Sequence, residues 1–309
     1  MTWSDCRPDH GGGLEPRRTE DGSFSLFSPA VGEAFHSGRG ALAEARSKFV
    51  APAGLDAFRS GQPLRVLDVC VGTGSNSAAL FEACQDRGLQ LQWFGLEIDP
   101  APLQLALADA GFQGQWRPAV LEALRELCQG PTMLWGDARR RLPELLEAQR
   151  GQFDLVLHDA FSPSRCPQLW SVEFLEGLAA LLQPEGRLLT YCSAAAVRQA
   201  LRLAQLEIAA IAAPSGLRAQ RSDWSGGTAA SPRPLQGDSM LRPLSPMEEE
   251  HLHTNAAEPY RDPSGRADRA SILRERQRIQ QRRLSQGEVE ATGSWRRRWG
   301  LDSAIGHHQ

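Results

Sequence analysis

Lysine is almost missing from this chain: Lys48 stands alone beside 33 arginines in 309 residues. Genome composition alone can produce such a bias, so the arginine excess marks no site by itself. No run of 18 apolar residues occurs, which removes a helical membrane span from the expectations. The first residues, Met-Thr-Trp-Ser-Asp-Cys-Arg-Pro, lack the apolar core of a secretion signal. The six cysteines (Cys6, Cys70, Cys84, Cys128, Cys166, Cys192) form no Cys-x-x-Cys pair. Neither a disulfide frame nor a zinc site is expected from them. The seven histidines show no ligand spacing, and His251 and His253 fall in a polar stretch that reads as solvated. The expectation is a cytoplasmic protein with reduced thiols, no membrane contact and no metal.

What is present is unevenly spread. Net charge is −3, yet residues 261–299 hold 11 arginines against 5 acids. Around residues 65–76 the chain reads Arg-Val-Leu-Asp-Val-Cys-Val-Gly-Thr-Gly-Ser-Asn. An apolar strand ends there in a glycine turn, and a helix opens near Ser75. Open α/β sheets build nucleotide sites this way. Gly72 and Gly74 let the backbone approach a ligand. Asp68 stands where a diphosphate would be repelled. A carboxylate there suits a ligand with a positive end, and S-adenosylmethionine fits that better than NAD.

Residues 1–22 are polar and read as mobile. Residues 23–27 alternate like a strand, 32–37 can pair with them, and 40–50 has helical spacing. Residues 23–60 thus form a cover ahead of the sheet. From 64 the period switches to β-α alternation. Strands 64–71, 91–97, 131–135, 153–158 and 186–192 are separated by helices 75–87, 101–110, 119–128, 138–149 and 170–182. Helix 194–204, an apolar run at 206–212 and a closing strand from Trp224 follow. This is a doubly wound, mostly parallel sheet of Rossmann-like type. The domain is expected over 23–230, with a Pro-rich linker and an Arg-rich helical or disordered tail over 231–309. In that tail, 268–284 forms a basic helix and Trp295-Arg-Arg-Arg-Trp299 follows. It reads as a solvated face or as a contact for an RNA backbone.

Carboxylates fall at the carboxyl ends of successive strands: Asp68, Glu97, Asp137 and Asp159. Glu97 is placed to accept from both ribose hydroxyls of a nucleoside, which does not choose between NAD and S-adenosylmethionine. Asp137, in Trp-Gly-Asp-Ala, suits an adenine amine, a helix N-cap, or both. Trp135 suits adenine stacking or the core. Asp159 lies in His158-Asp-Ala-Phe-Ser-Pro163, which resembles the Asp-Pro-Pro-aromatic site of amino-methyltransferases. A carboxylate there can orient an amine and take its proton. Phe161 can stack on the acceptor and Pro163 stiffens the loop; the alternative is an Asp that satisfies turn amides.

Taken together, four stretches resemble the methyltransferase domain of the MnmC family of tRNA wobble-uridine enzymes. They are 21–45, Gly72-Thr-Gly-Ser-Asn76, Trp135-Gly-Asp-Ala138 and Phe153 through Pro163, continuing to Pro167 and Trp170. The resemblance spans roughly 21–230. It implies a class I methyltransferase fold and S-adenosylmethionine-dependent methylation of the 5-aminomethyl amine of the wobble uridine, in the tRNA anticodon loop. On that match Asp159 is catalytic, and Gly72, Gly74 and Asn76 line the cofactor, with Glu97 on ribose and Asp137 near adenine. His36 and Glu44 belong to the cover over the acceptor. Larger family members carry a fused FAD oxidase; residues after 230 hold too few apolar side chains for one, so a stand-alone form without FAD is expected. The glycine expected at the start of the cofactor loop is Cys70 here.

Other readings remain open from sequence alone. One is an amine methyltransferase of another RNA base, a protein or a small molecule. Another is a non-catalytic RNA-binding adaptor. An NAD-dependent oxidoreductase is disfavoured by the missing third glycine and by Asp68. A basic surface rimming the Asp159 pocket favours RNA; a closed neutral pocket favours a small molecule. Oligomeric state is left open.

Overall fold

Apolar residues at period two, then at helical spacing, produce the elements in the order expected of a doubly wound sheet. The computed structural model describes residues 13–38, 40–212, 225–235 and 237–301. Strands β1 (Glu15–Arg18), β2 (Phe24–Ser28) and β3 (Glu33–Ala34) form a small antiparallel sheet. Residues 15–18 are therefore paired, whereas a mobile segment to residue 22 is expected from composition; residues 1–12 lie outside the described residues. Helix α1 (Ala41–Glu44) runs into a wider π-type stretch over Ala45–Val50.

The main sheet begins with β4 (Pro63–Val69), helix α2 (Ser75–Arg87) and β5 (Gln90–Glu97). Helices α3 (Ala101–Ala108), α4 (Ala110–Gly114) and α5 (Pro118–Gln129) lead to β6 (Met133–Trp135). Then come α6 (Ala138–Gln149), β7 (Phe153–His158), α7 (Val172–Leu181), β8 (Leu182–Thr190), α8 (Ala195–Leu203) and β9 (Glu207–Ile211). β10 (Gly227–Ser231) supplies the closing strand; Trp224 itself lies outside the described residues. The strand order is β11-β9-β10-β8-β7-β4-β5-β6, with β11 at Leu241–Arg242. β6, β5, β4, β7 and β8 pair in parallel, and β10 runs antiparallel to β8 and β9. The order switches at β4, which has β5 on one side and β7 on the other. A crevice opens at the strands' carboxyl ends there.

Both faces of the sheet are covered. Leu64 and Val66 of β4 pack towards α2, α5 and the cover residues Phe24, Leu26 and Phe49. Leu67 and Val69 pack towards α6, α7 and α8. Each such fully buried Leu or Val contributes about 1.5–3 kcal/mol.

Residues 237–301 are packed structure, in contrast to the linker that composition suggests, and the expected helix over 268–284 is present. Helix α9 (Pro246–His251) is capped by Ser245 and Glu248, and α10 (Arg269–Ser285) and α11 (Thr292–Arg298) follow. Buried Glu248 accepts from Arg198 at 3.1 Å, Arg242 at 2.7 Å and the Ser225 amide at 3.2 Å. Trp295 is buried and stacks on His251 at 4.1 Å, so neither ring is the solvated or base-stacking group suggested by the sequence. Trp299 donates to Glu250. Arg283 and Arg298 pair with Glu258 and Glu250, while Arg276 donates to two carbonyls and lies 4.6 Å over Tyr260. Acids distant in sequence take up the charge of three tail arginines, Arg261, Arg283 and Arg298.

No helix among the described residues is long and apolar enough to cross a membrane, and no group of three or more His, Cys, Asp or Glu among them is placed to hold a metal.

Candidate active site

The turn after β4 is built on left-handed backbone. Cys70 (φ +67°), Gly72 (φ +56°) and Gly74 (φ +79°) all adopt it, so the cysteine takes a conformation that normally asks for glycine. The Gly72 amide donates to Glu97 Oε2 at 2.8 Å. Glu97 Oε1 accepts from the amides of Ile98 at 2.6 Å and Asp99 at 3.1 Å. Burial raises the Glu97 pKa, and these amides oppose that rise. Oε1 is fully used, which leaves one acceptor position on Oε2 instead of the two expected for a ribose diol. A Cβ on Gly72 would stand 3.3 Å from the Phe35 ring, where the cover closes on the loop.

Three expected cofactor residues face elsewhere. Asp68 is fully buried beneath α2; its Oδ2 accepts from Ser77 at 2.5 Å, and Ser77 accepts from Trp93 at 2.9 Å. Burial pushes Asp68 up to about 7. It shares a strand face with Leu64 and Val66, which explains why it misses the crevice. Gly74 turns towards Leu103 and Leu124, and a Cβ there would meet them at 2.8 and 3.1 Å; it serves helix packing. Asn76 does not line the cavity but donates to Asp159 Oδ2 at 2.7 Å. Pro163 also stands back from the cavity, and Trp135 packs against the core.

At the carboxyl edge lies a cavity of about 850 Å³. One half is lined by Gly72, Glu97, Asp99 and Asp137. Asp137 caps α6 through the Arg139 amide at 3.0 Å and also pairs with the Arg139 guanidinium at 2.8 Å. Arg139, which also lines the cavity, reaches Asp262 at 2.8 Å and the Ala267 carbonyl at 3.0 Å. The other half holds Phe35, His36, Glu44, Lys48, Asp159, Phe161 and Tyr191.

Asp159 follows β7, and its amide donates to the Val69 carbonyl. Burial pushes its carboxyl up to about 7; Asn76 and Lys48 pull it down, and Glu44 and Asp68 push it further up. Glu44 accepts from Ser37 Oγ at 2.7 Å and from Lys48 Nζ at 2.7 Å. Burial alone would raise the Glu44 carboxyl, but these partners hold it below its ordinary value. His36 contacts Ser25 Oγ at 3.0 Å, and burial pushes it down to about 4, so it is neutral near pH 7.

The loop carrying Asp159 is tied on both sides. His158 Nε2 donates to the Leu169 carbonyl at 2.9 Å, Trp170 to the Phe161 carbonyl at 2.7 Å and Tyr191 to the Ala160 carbonyl at 3.0 Å. Ser162 donates to Glu33 of the cover at 2.8 Å, and Phe35 meets Phe161 edge-on at 5.0 Å.

Sequence reasoning passed over Lys48, Tyr191 and Arg139. Lys48 lies four residues after Glu44 on the expected helix, and Tyr191 lies at the end of an expected strand; both signals were present.

Acceptors and backbone amides dominate the Gly72 half, and its one guanidinium is already paired with Asp137 and Asp262. That donor set suits a nucleoside with a positive end better than a diphosphate. Residues 129–215 match the family model of the S-adenosyl-L-methionine-dependent methyltransferases. Over that segment the chain is similar to that class. Within it the chain is MnmC-like. It is 30% identical over 204 residues to the tRNA 5-methylaminomethyl-2-thiouridine biosynthesis bifunctional protein MnmC of Burkholderia multivorans, covering 59% of this chain and 30% of that protein. The Cupriavidus necator protein of the same name is 28% identical over 235 residues, covering 68% of this chain and 35% of that protein. The chain thus spans about a third of the length of these relatives. The crystal structure of MnmC2 from Aquifex aeolicus superposes with a TM-score of 0.70 at 27% identity, covering 87% of this chain and 85% of that one.

Proposed function

We propose that this chain methylates the 5-aminomethyl group of the tRNA wobble uridine, giving 5-methylaminomethyl-(2-thio)uridine. Asp159 carries the reading. Its carboxylate ionises near neutrality, is held by Asn76, and opens into the same cavity as the Gly72 loop. The name of the bifunctional relatives supports the choice of acceptor. Gly72, Glu97 and Asp137 would hold S-adenosylmethionine. Bound there, it supplies a methyl on a positively charged sulfur, whose S–C bond breaks as the N–C bond forms.

A primary alkyl amine titrates near the lysine value of about 10.4 and is mostly ammonium at pH 7, with no lone pair to offer. Asp159 accepts a hydrogen bond from that ammonium and takes one proton. A carboxylate raised by burial stands closer in proton affinity to the amine than an exposed one does. Glu44 is neutralised by Lys48 at 2.7 Å, which leaves Asp159 as the carboxylate for a cationic acceptor, and the rings of Phe35 and Phe161 line the same half of the cavity. An anticodon base is already single-stranded, so placing it in a pocket costs little unstacking.

The test is mass spectrometry of nucleosides after incubation with S-adenosylmethionine and tRNA bearing 5-aminomethyluridine. A gain of one methyl on that nucleoside, lost in Asp159→Ala while cofactor binding persists, is the expected result. If that nucleoside gains no methyl while cofactor binding is intact, the acceptor is a different amine.

A further inference from the structure

The C-terminal arginines divide into two groups. Arg261, Arg278, Arg283 and Arg298 each pair with a carboxylate of the chain. Arg266 and Arg269 have no carboxylate partner among the described residues, and both are exposed. Arg269 spends Nε on the Ser164 carbonyl at 3.0 Å, which fixes the start of α10 beside the loop carrying Asp159. Arg266 directly precedes Ala267, whose carbonyl is held by the cavity residue Arg139. Arg165, the next residue along the Asp159 loop from Ser164, is also exposed and has no ion pair among the described residues. Its guanidinium lies within 3.7 Å of where a Gly32 side chain would begin, on the turn of the cover that borders the cavity. Two segments distant in sequence, 164–165 and 266–269, thus bring cations to one side of the cavity mouth. Asp268 is the acid between Arg266 and Arg269, and it is engaged with the Ser271 amide at 2.8 Å as the cap of α10.

Uncompensated charge is costly to gather unless something neutralises it. Planar, forked guanidiniums on a rim beside a base-sized cavity match phosphodiester oxygens. We propose that Arg165, Arg266 and Arg269 form a cationic rim that takes the sugar-phosphate backbone of an RNA acceptor while its base enters the cavity. This rests on the RNA reading above and adds the surface that RNA uses. It also gives residues 237–301 a role: they carry two of the three cations to the mouth.

The test separates binding from chemistry. A fluorescent anticodon stem-loop without modified bases is titrated onto the full chain at several salt concentrations. The R165Q/R266Q/R269Q variant should bind at least about 10-fold more weakly at low salt, with the log–log salt slope reduced by about 2, near 0.7 for each phosphate contact to a single strand. Cofactor affinity should be unchanged, which shows that the variant is folded. R59Q/R150Q, which removes two exposed arginines at the opposite end of the sheet, should leave binding unchanged. Equal affinity and slope in the triple variant and the wild type would overturn the rim. So would a wild type that binds no RNA while it methylates another amine. Rim-dependent binding without methyl transfer to 5-aminomethyluridine would uphold the rim and refute the acceptor assigned above.

Discussion

Two cavities of similar size lie at opposite ends of one sheet, about 820 Å³ at the amino ends of the strands and about 850 Å³ at the carboxyl ends. Their polar groups are treated differently. At the amino end, Arg65 donates to Gln92 and Gln149, Asp154 accepts from the Arg65 amide and Gln183, and Arg187 pairs with Asp238. These groups satisfy one another. At the carboxyl end, Asp159 has Asn76 as its hydrogen-bond donor, and Asp159 and Glu97 are both raised by burial. Polarity and volume alone do not separate a site from a groove. The extent of the rise does: burial lifts Asp154 as well, but it lifts Asp159 as far as about 7.

The largest break in this contrast should come from Asp159→Asn, which keeps the shape and removes the base. Methyl transfer should fall by about 10²–10⁴ with cofactor affinity retained. Asp154→Asn at the other end should cost about 1–3 kcal/mol in urea unfolding and leave transfer unchanged. Equal activity losses in the two variants would erase the distinction.

A sharper test uses the groups that face Asp159: Asn76 from α2, Asp68 from β4, and Glu44 and Lys48 from the cover. Asn76 and Lys48 favour ionised Asp159, whereas Glu44 opposes it. Asn76→Ala and Lys48→Met should move the alkaline-rising limb of the rate profile to higher pH, by about one unit for Asn76. Glu44→Gln should move it to lower pH. Shifts of one sign in all three variants would contradict this electrostatic account.

Asp68 gives a smaller effect, read in stability. It ionises near 7 in the fold against 3.8 as a model group. The folded chain therefore holds a proton that the unfolded chain has lost between those values, and the contribution of Asp68 to stability should fall as pH rises across that window. Asp159 adds the same dependence. Buried His36, His158 and His251, lowered to about 4, contribute with the opposite sign, so Asp68→Asn should make the slope of stability against pH, measured by urea unfolding between pH 4 and pH 7, more positive by about 1.4 kcal/mol per pH unit; an unchanged slope would mean that Asp68 stays ionised. The smallest effect expected is a gain of about 1 kcal/mol or less in Cys70→Gly, with activity kept, because the residue sits at φ +67°. Loss of activity there would assign the thiol a role beyond the turn.

Local signals made most of the fold legible. The bounds of α2, α6 and β7 agree with the expected 75–87, 138–149 and 153–158, since apolar period and turn chemistry lie within each segment. Asp159, Glu97 and Asp137 line one cavity, as strand ends that share one edge lead one to expect. Asp68 was misread because period two shows which residues share a face, not what lies opposite it. The packing of the basic tail was not legible for a related reason: composition shows charge but not its partners, and Glu258, Glu250 and Glu173 become neighbours only in the fold. Lys48 and Glu44 could have been read together from helical spacing, but their meeting with Asp159 depends on how the cover folds over the sheet.

Arg139 joins matters that otherwise look separate. One guanidinium holds Asp137 in the cavity, Asp262 in the C-terminal segment and the carbonyl beside Arg266. Any shift in that guanidinium on filling the Asp137 side is felt where Arg266 stands. Thermodynamic reciprocity then requires that the cofactor change RNA affinity by the same factor by which RNA changes cofactor affinity. The order in which the two ligands arrive can alter rates along the way but not that shared factor.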